Sequence, residues 1–152
     1  RSNTMSNLLV QNIKHTNGTT AQTVDTSGRT TVSIMNNDST FRSDGGAVTQ
    51  NLVQGLVKAW CKFQGDAGSI SNDDSFNVSG LTDNGTGDYT IAIDNDMAND
   101  DYATTCCSAQ QVHAIYNASN TLVGSIRIYI LGTSESNADG QEVSVQITGD
   151  LA

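Results

Sequence analysis

The chain has 152 residues, of which 36% are hydrophobic, 5% aromatic and only 15% charged, and its formal net charge is −9. One domain fits this length. Seven basic residues scattered through an acidic chain exclude a nucleic-acid partner and an anionic lipid surface. No apolar run reaches the ~18 residues of a membrane span, so we expect no membrane insertion. The first ten residues hold no signal-like apolar stretch, so we expect either a removed signal or no Sec export.

Residues 1–46 are predicted to form an N-terminal arm. Their apolar residues come in short islands separated by turn signals, and a short hairpin is expected between Val24 and Ile34. Because such islands cannot bury enough surface to fold alone, we interpret this segment as an attachment or oligomerisation arm. The alternative is a disordered tail.

Residues 47–152 are predicted to form the head domain, beginning with a strand from Val48 to Phe63. The alternation there is only rough, but Gly55 and the β-branched residues disfavour a helix, and Trp60 is expected in the core. Phe76, Val78 and Gly80 are then expected to share one face of a strand.

A tight hairpin turn at Asn84–Gly85 is the next expected feature of the head. Strands of period two are predicted at Tyr89–Ile93, Tyr102–Ser108, Val112–Tyr116, Ile126–Leu131 and Val143–Ile147. Turn signals about 8–15 residues apart suit antiparallel strands. The predicted fold is therefore all-β: an antiparallel, jelly-roll-like β-sandwich head with an extended N-terminal arm.

One loop is rich in carboxylates that could ligate calcium. The metal candidates are Asp94, Asp96, Asp100 and Asp101. The spacing fails the EF-hand pattern because neither the central Gly nor the closing Glu is present. We interpret the loop as a solvated turn and assign no metal and no other cofactor.

The sequence lacks the motifs of common catalytic sites, including a nucleophile elbow and a phosphate-binding loop. Cys106 and His113 are the one conceivable nucleophile–base pair, and His113 is expected to be an ordinary strand residue. Cys61, Cys106 and Cys107 are expected to be reduced, packed thiols, although a bridge from Cys61 to either of the others stays open. We predict that the protein is not an enzyme and has no catalytic residues.

Sugar binding is the alternative that the side chains leave open, since aromatic rings can serve as stacking platforms. The rings available are Trp60, Tyr89, Tyr102, Tyr116 and Tyr129. Tyr129 alternates with Ile128 and Ile130, so it is expected to face either solvent or a partner subunit.

Three motifs occur in a characteristic order: V-K-A-W at 57–60, S-F-N-V-S at 75–79 and T-D-N-G-T-G-D-Y-T at 82–90. Met97 and Asp101-Tyr102-Ala103 follow them. Together they resemble a domain common in tail-fibre and other virion appendage proteins of bacteriophages, especially marine ones. Leu8–Ile13 and Val24–Arg29 resemble the N-terminal arm of the same proteins. Cys61, Cys106 and Cys107 depart from that pattern, because ordinary strand residues are expected there.

The resemblance implies a structural protein of a phage virion, made in the host cytoplasm and located in the virion. It would form a homotrimeric surface fibre or knob, bind other virion proteins, and contact a glycan or protein of the host surface. The implied surface-contact residues are Asn84, Asp88, Asp94 and Asp101, and those of the attachment arm are Leu8, Leu9, Val10 and Ile13. A capsid decoration or cement protein is the alternative within this class. A carbohydrate-binding module and a secreted adhesin domain are alternatives from other classes.

Overall fold

The computed structural model describes residues 12–14, 17–18, 20–32, 34–36, 38–42, 49–66, 69–109 and 113–152. Every regular element in these ranges is a β-strand, which confirms the all-β prediction. No helix there is long and apolar enough to cross a membrane. The chain divides into two compact units, Arg1–Ser39 and Thr40–Ala152, whereas the sequence placed its boundary between residues 46 and 47.

The smaller unit contains a three-stranded antiparallel sheet of β1 (Asn12–Lys14), β2 (Thr20–Val24) and β3 (Thr30–Val32), in that order. Asp25 stabilises the turn between β2 and β3. Its Oδ1 accepts hydrogen bonds from the backbone N–H groups of Ser27 and Arg29, and its Oδ2 lies 2.7 Å from Arg29 Nε. Hydrogen bonds from Arg29 hold the pKa of Asp25 below its ordinary value. The hairpin predicted in this region is therefore present.

The larger unit begins with a hairpin of β4 (Thr40–Arg42) and β5 (Thr49–Asn51). Eight further strands form two antiparallel four-stranded sheets. They are β6 (Val57–Gln64), β7 (Ser71–Phe76), β8 (Val78–Gly85), β9 (Asp88–Ile93), β10 (Ala103–Ser108), β11 (His113–Leu122), β12 (Ser125–Leu131) and β13 (Val143–Thr148). The first sheet has the order β10-β13-β6-β7, and the second has the order β11-β12-β9-β8. Eight strands in two packed sheets make the predicted antiparallel sandwich.

The core lies between the two sheets and is built by strict alternation along the central strands. In β12, Ile126, Ile128 and Ile130 are fully buried while the residues between them are half-buried on the outer face. The remaining buried apolar residues come from both sheets and their loops: Ala59, Cys61, Phe63, Tyr89, Ile91, Ile93, Met97, Tyr102, Val143, Val145 and Ile147. The predicted inward faces of β9, β12 and β13 are confirmed.

The chain changes sheets at Asn77, which lies between β7 and β8 with a φ of 55°. Asn tolerates this left-handed conformation better than most residues. The change separates Phe76, which is exposed on the first sheet, from Val78, which is half-buried in the second. The prediction that Phe76 and Val78 share one face was therefore wrong.

The predicted turn at Asn84–Gly85 lies two residues further along the chain. Gly85 pairs with Asp88, so the turn residues are Thr86 and Gly87. Gly87 has a φ of 63°, and a Cβ there would lie 2.6 Å from the carbonyl oxygen of Ile130. Both conditions require glycine at the second turn position.

The strand predicted from Val48 to Phe63 is interrupted. Residues 52–56 form a turn between β5 and β6, and the backbone N–H of Gly55 donates to the carbonyl of Asn51 within it. In β6 the inward positions are Ala59, Cys61 and Phe63. Trp60 is consequently half-buried on the outer face rather than in the core, which corrects its prediction.

Candidate functional site

The predicted surface-contact residues lie at opposite ends of the sandwich. The near end, where β6 begins, is formed by residues 52–56, 94–102, 123–124 and 149–152, and the far end by residues 86–87 and 132–142. Asp94 and Asp101 lie at the near end, whereas Asn84 and Asp88 lie beside the far end. These two pairs therefore do not form one contact surface.

Exposed aliphatic residues lie on neighbouring segments of the near end, and we name the four most exposed the apolar end: Leu56, Leu122, Val123 and Leu151. Each is 41–54% exposed. Hydrogen bonds join the segments that carry them: Gln54 Nε2 donates to Asp150 Oδ2 (3.2 Å), and Met97 N donates to the carbonyl of Val123 (2.9 Å). Met97 also forms a β-bridge with Leu151. Grouped apolar side chains of this kind are typical of an interaction surface.

The acidic loop between β9 and β10 does not converge on a metal position. No three His, Cys, Asp or Glu side chains in the described part of the chain come close enough to hold a metal ion. The loop is fixed by its backbone instead, since Asp94 N donates to the carbonyl of Asn77 and Asp101 N donates to Asn99 Oδ1. The candidates Asp94, Asp96, Asp100 and Asp101 therefore act as separate loop residues in this structure.

A polar network crosses the outer face of the second sheet near the far end. Arg127 Nε donates to Asp88 Oδ1 at 2.7 Å, and the guanidinium carbon lies 5.7 Å from the centre of the Tyr129 ring. Asn117 Nδ2 donates to the Tyr129 hydroxyl at 3.0 Å, and Asn84 Nδ2 donates to Thr90 Oγ1 at 2.8 Å. The hydrogen bond from Arg127 holds the pKa of Asp88 below its ordinary value.

This network changes the role of Asp88. Its side chain is only 13% exposed and is engaged by the guanidinium, so it is a fixed part of the sheet surface rather than a free loop tip. Tyr129 lies on the outer face, as the alternation with Ile128 and Ile130 predicts. Arg127 was not singled out from the sequence, where nothing marked it as the partner of Asp88.

The edge of the sandwich between β10 and β11 is open. The two strands belong to different sheets, and each pairs with one neighbouring strand only. A groove of about 380 Å³ lies between them and is lined by Thr104, Thr105, Cys106, Ala114, Ile115 and Tyr116. A second concavity of about 340 Å³ continues past Tyr116 towards Asp100 and Asp101 at the near end. No sequence motif predicts this groove, because it depends on β10 and β11 being edge strands of different sheets.

The three cysteines are free thiols: Cys61 is buried, Cys106 is half-buried and Cys107 is exposed. Cys107 therefore departs from the expectation that all three are packed. Burial raises the pKa of Cys61 to about 12, and burial also raises the pKa of Cys106. Both thiols are accordingly protonated at neutral pH and are poor nucleophiles.

The predicted attachment residues all fall within the range of the smaller unit, Arg1–Ser39. Leu8, Leu9 and Val10 lie outside the described residues. Ile13 lies in β1 and is 52% exposed. Val32, Ile34 and Met35 are also exposed, and none of the described residues of this unit belongs to the buried core.

Comparison of the chain with known protein families, with curated proteins and with solved structures gives no significant match.

Proposed function

We propose that the protein is a non-enzymatic structural subunit of a bacteriophage virion appendage, which assembles as a homotrimeric surface fibre or knob and contacts the host surface. The resemblance of the motifs at 57–60, 75–79 and 82–90 to phage appendage proteins suggests the class. A capsid decoration protein is the alternative within it. Both assignments require a surface through which the subunit assembles.

The apolar end is the observation that carries this proposal. Leu56, Leu122, Val123 and Leu151 are about half exposed at the end of the sandwich where the chain enters β6. Burial of apolar surface is the main favourable term in protein association. An assembly that packs on these four side chains would cover them and leave the open edges of the sandwich free to meet the host.

The chemistry of the described residues agrees with a structural role. Cys106, which was weighed as a nucleophile, has a pKa raised by burial, whereas activation requires a lowered one. The polar groups that are most tightly fixed, Asp88 and Arg127, are engaged with each other. Because each of these two groups is engaged by the other, neither is free to transfer a proton to a substrate.

Sedimentation velocity on the full chain tests the proposal. We expect the unaltered protein to sediment as a trimer, and the double variant Leu122→Ser/Val123→Ser to dissociate, because it removes apolar contact from the assembly surface. Ile115→Ser is the matched control, since Ile115 is 44% exposed on the outer face of β11, towards the far end. A double variant that stays as associated as the unaltered chain would refute assembly through the apolar end.

A further inference from the structure

The groove between β10 and β11 opens into the inner space of the sandwich. Tyr116 lies opposite Ile128 across the β11–β12 pairing, so its side chain is on the inner face, yet it is 51% exposed whereas Ile128 is fully buried. Thr104 and Cys106 of β10 lie opposite Ile147 and Val145, which are also core residues. Four of the lining residues are therefore inner-face residues that the larger unit leaves partly uncovered at this edge: Thr104, Cys106, Ala114 and Tyr116. Thr105 and Ile115 belong to the outer faces of their strands.

One wall carries an unused hydrogen-bonding group. Thr104 Oγ1 is buried and has no hydrogen-bond partner among the described residues. A buried hydroxyl without a partner is unfavourable, and such groups in native structures call for an explanation. Thr104 lines the same groove as Tyr116, and a rotation about its χ1 would turn the hydroxyl from its covered position towards a ligand bound there.

The side chains around Tyr116 define the chemistry of the ligand. Tyr116 lines both parts of the groove: one also contains Thr104 and Thr105, and the other contains Asp100 and Asp101. None of the described residues that line either part is cationic, and the chain has a net charge of −9, so an anionic ligand would be repelled.

We propose that this groove, which we name the Tyr116 groove, binds a neutral oligosaccharide. The apolar face of a sugar ring would lie on the Tyr116 ring, while its hydroxyls donate to Asp100 and Asp101 and exchange hydrogen bonds with the threonines. The inference rests on the proposed function only for the source of the glycan, which would be the host surface. The binding itself follows from the groove.

The test uses the full chain and a panel of immobilised oligosaccharides that contains neutral hexasaccharides of glucose, mannose and xylose and, as an acidic comparison, oligogalacturonate. We expect at least one neutral hexasaccharide to bind and oligogalacturonate not to bind. The affinity for the bound hexasaccharide should fall at least about tenfold in Tyr116→Ala and stay within about threefold in Tyr116→Phe, which keeps the ring. Phe76→Ala is the matched control, because Phe76 is a similarly exposed ring (56%) on the opposite edge strand β7.

A second variant keeps the test decisive if Tyr116→Ala does not fold. Tyr116 is 51% exposed, so Tyr116→Leu keeps an apolar side chain at this position and removes only the ring. We expect it to weaken binding as much as Tyr116→Ala does. Absence of neutral-sugar binding, equal binding of oligogalacturonate, or binding that survives Tyr116→Leu would each overturn the proposal. Conversion of the assembly to monomers by Tyr116→Ala would also overturn it, since the groove would then be a subunit interface. A monomeric chain that binds a neutral sugar through Tyr116 would refute the homotrimeric fibre assignment and leave the groove assignment intact.

Discussion

Asn77 stabilises the point where the chain passes from the first sheet to the second, and its substitution gives the sharpest test of the fold. Its Nδ2 donates to the carbonyl oxygens of Lys58 (3.0 Å) and Asn95 (3.2 Å), and its Oδ1 accepts from Asn95 N (2.7 Å). Each bond contributes about 0.5–1.5 kcal/mol, and partial exposure places these bonds towards the lower limit. Asn77→Gly should therefore cost about 2 kcal/mol of unfolding free energy.

Asn77→Ala loses the same hydrogen bonds and also places a Cβ in the left-handed region, because the φ at this position is 55°. That conformation costs about 1 kcal/mol more, so we expect a loss of about 3 kcal/mol. Urea unfolding followed by the fluorescence of the single tryptophan, Trp60, measures both values. Asn99→Ala, which removes one exposed loop hydrogen bond, is the control and should cost less than about 1 kcal/mol. The reasoning fails if the glycine variant is no more stable than the alanine variant.

Three further substitutions have expected outcomes in the same urea assay. Gly65→Ala should cost more than about 2 kcal/mol of unfolding free energy, because its Cβ would lie 2.5 Å from Cζ of the buried Tyr89 ring. Gly80→Ala is the control: no atom lies within 4 Å of its Cβ, so it should change stability by less than about 0.5 kcal/mol. Equal effects of the two substitutions would refute the packing argument. Asp88→Asn should cost about 1 kcal/mol at pH 7. Because the folded pKa of Asp88 is lowered, its contribution is complete above the unfolded value of about 3.9 and disappears as the pH falls through the folded value. The stabilities of the two proteins should therefore converge as the pH falls below the unfolded value, and a constant difference would contradict this. Thr104→Val should raise stability by up to about 1 kcal/mol, since it replaces an unpartnered hydroxyl by a methyl group, and a loss of stability would refute that assignment.

The central strands of the sandwich could be predicted from the sequence because their alternation is uninterrupted. Ile126, Ile128 and Ile130 must all face the same side of a strand, and only the core can bury three isoleucines. The prediction failed where single residues redirect the chain. Asn77 changes the sheet and the turn at Thr86–Gly87 shifts the hairpin, and both depend on backbone angles that alternation does not encode.

Trp60 shows why residue type alone misplaced a side chain. A lone tryptophan after an apolar pair suggests the core. In β6, however, the inward positions are Ala59, Cys61 and Phe63. Because successive side chains of a strand point to opposite faces, Trp60 points outward. The large ring of Tyr89 occupies the space near Phe63, with the two ring centres 5.2 Å apart. Tyr89 of the opposite sheet fills part of the core beside β6, and the sequence of β6 alone does not predict this.

The candidate site was less accessible to sequence analysis than the fold. Asp88 was singled out for its position beside a predicted turn, but its partner Arg127 is 39 residues away and becomes its neighbour only through the pairing of β9 and β12. The Tyr116 groove requires that β10 and β11 be edge strands of different sheets. Long-range pairing of this kind depends on the complete topology, so no local sequence motif predicts it.

The mass of the assembled protein tests the central proposal most directly. Light scattering coupled to size-exclusion chromatography measures the mass of the particle at a low and a high concentration of the full chain. This mass is compared with the 16.0 kDa of one chain. A homotrimeric appendage subunit gives about three times this mass at both concentrations. A chain that stays monomeric at both concentrations would contradict the proposed assembly.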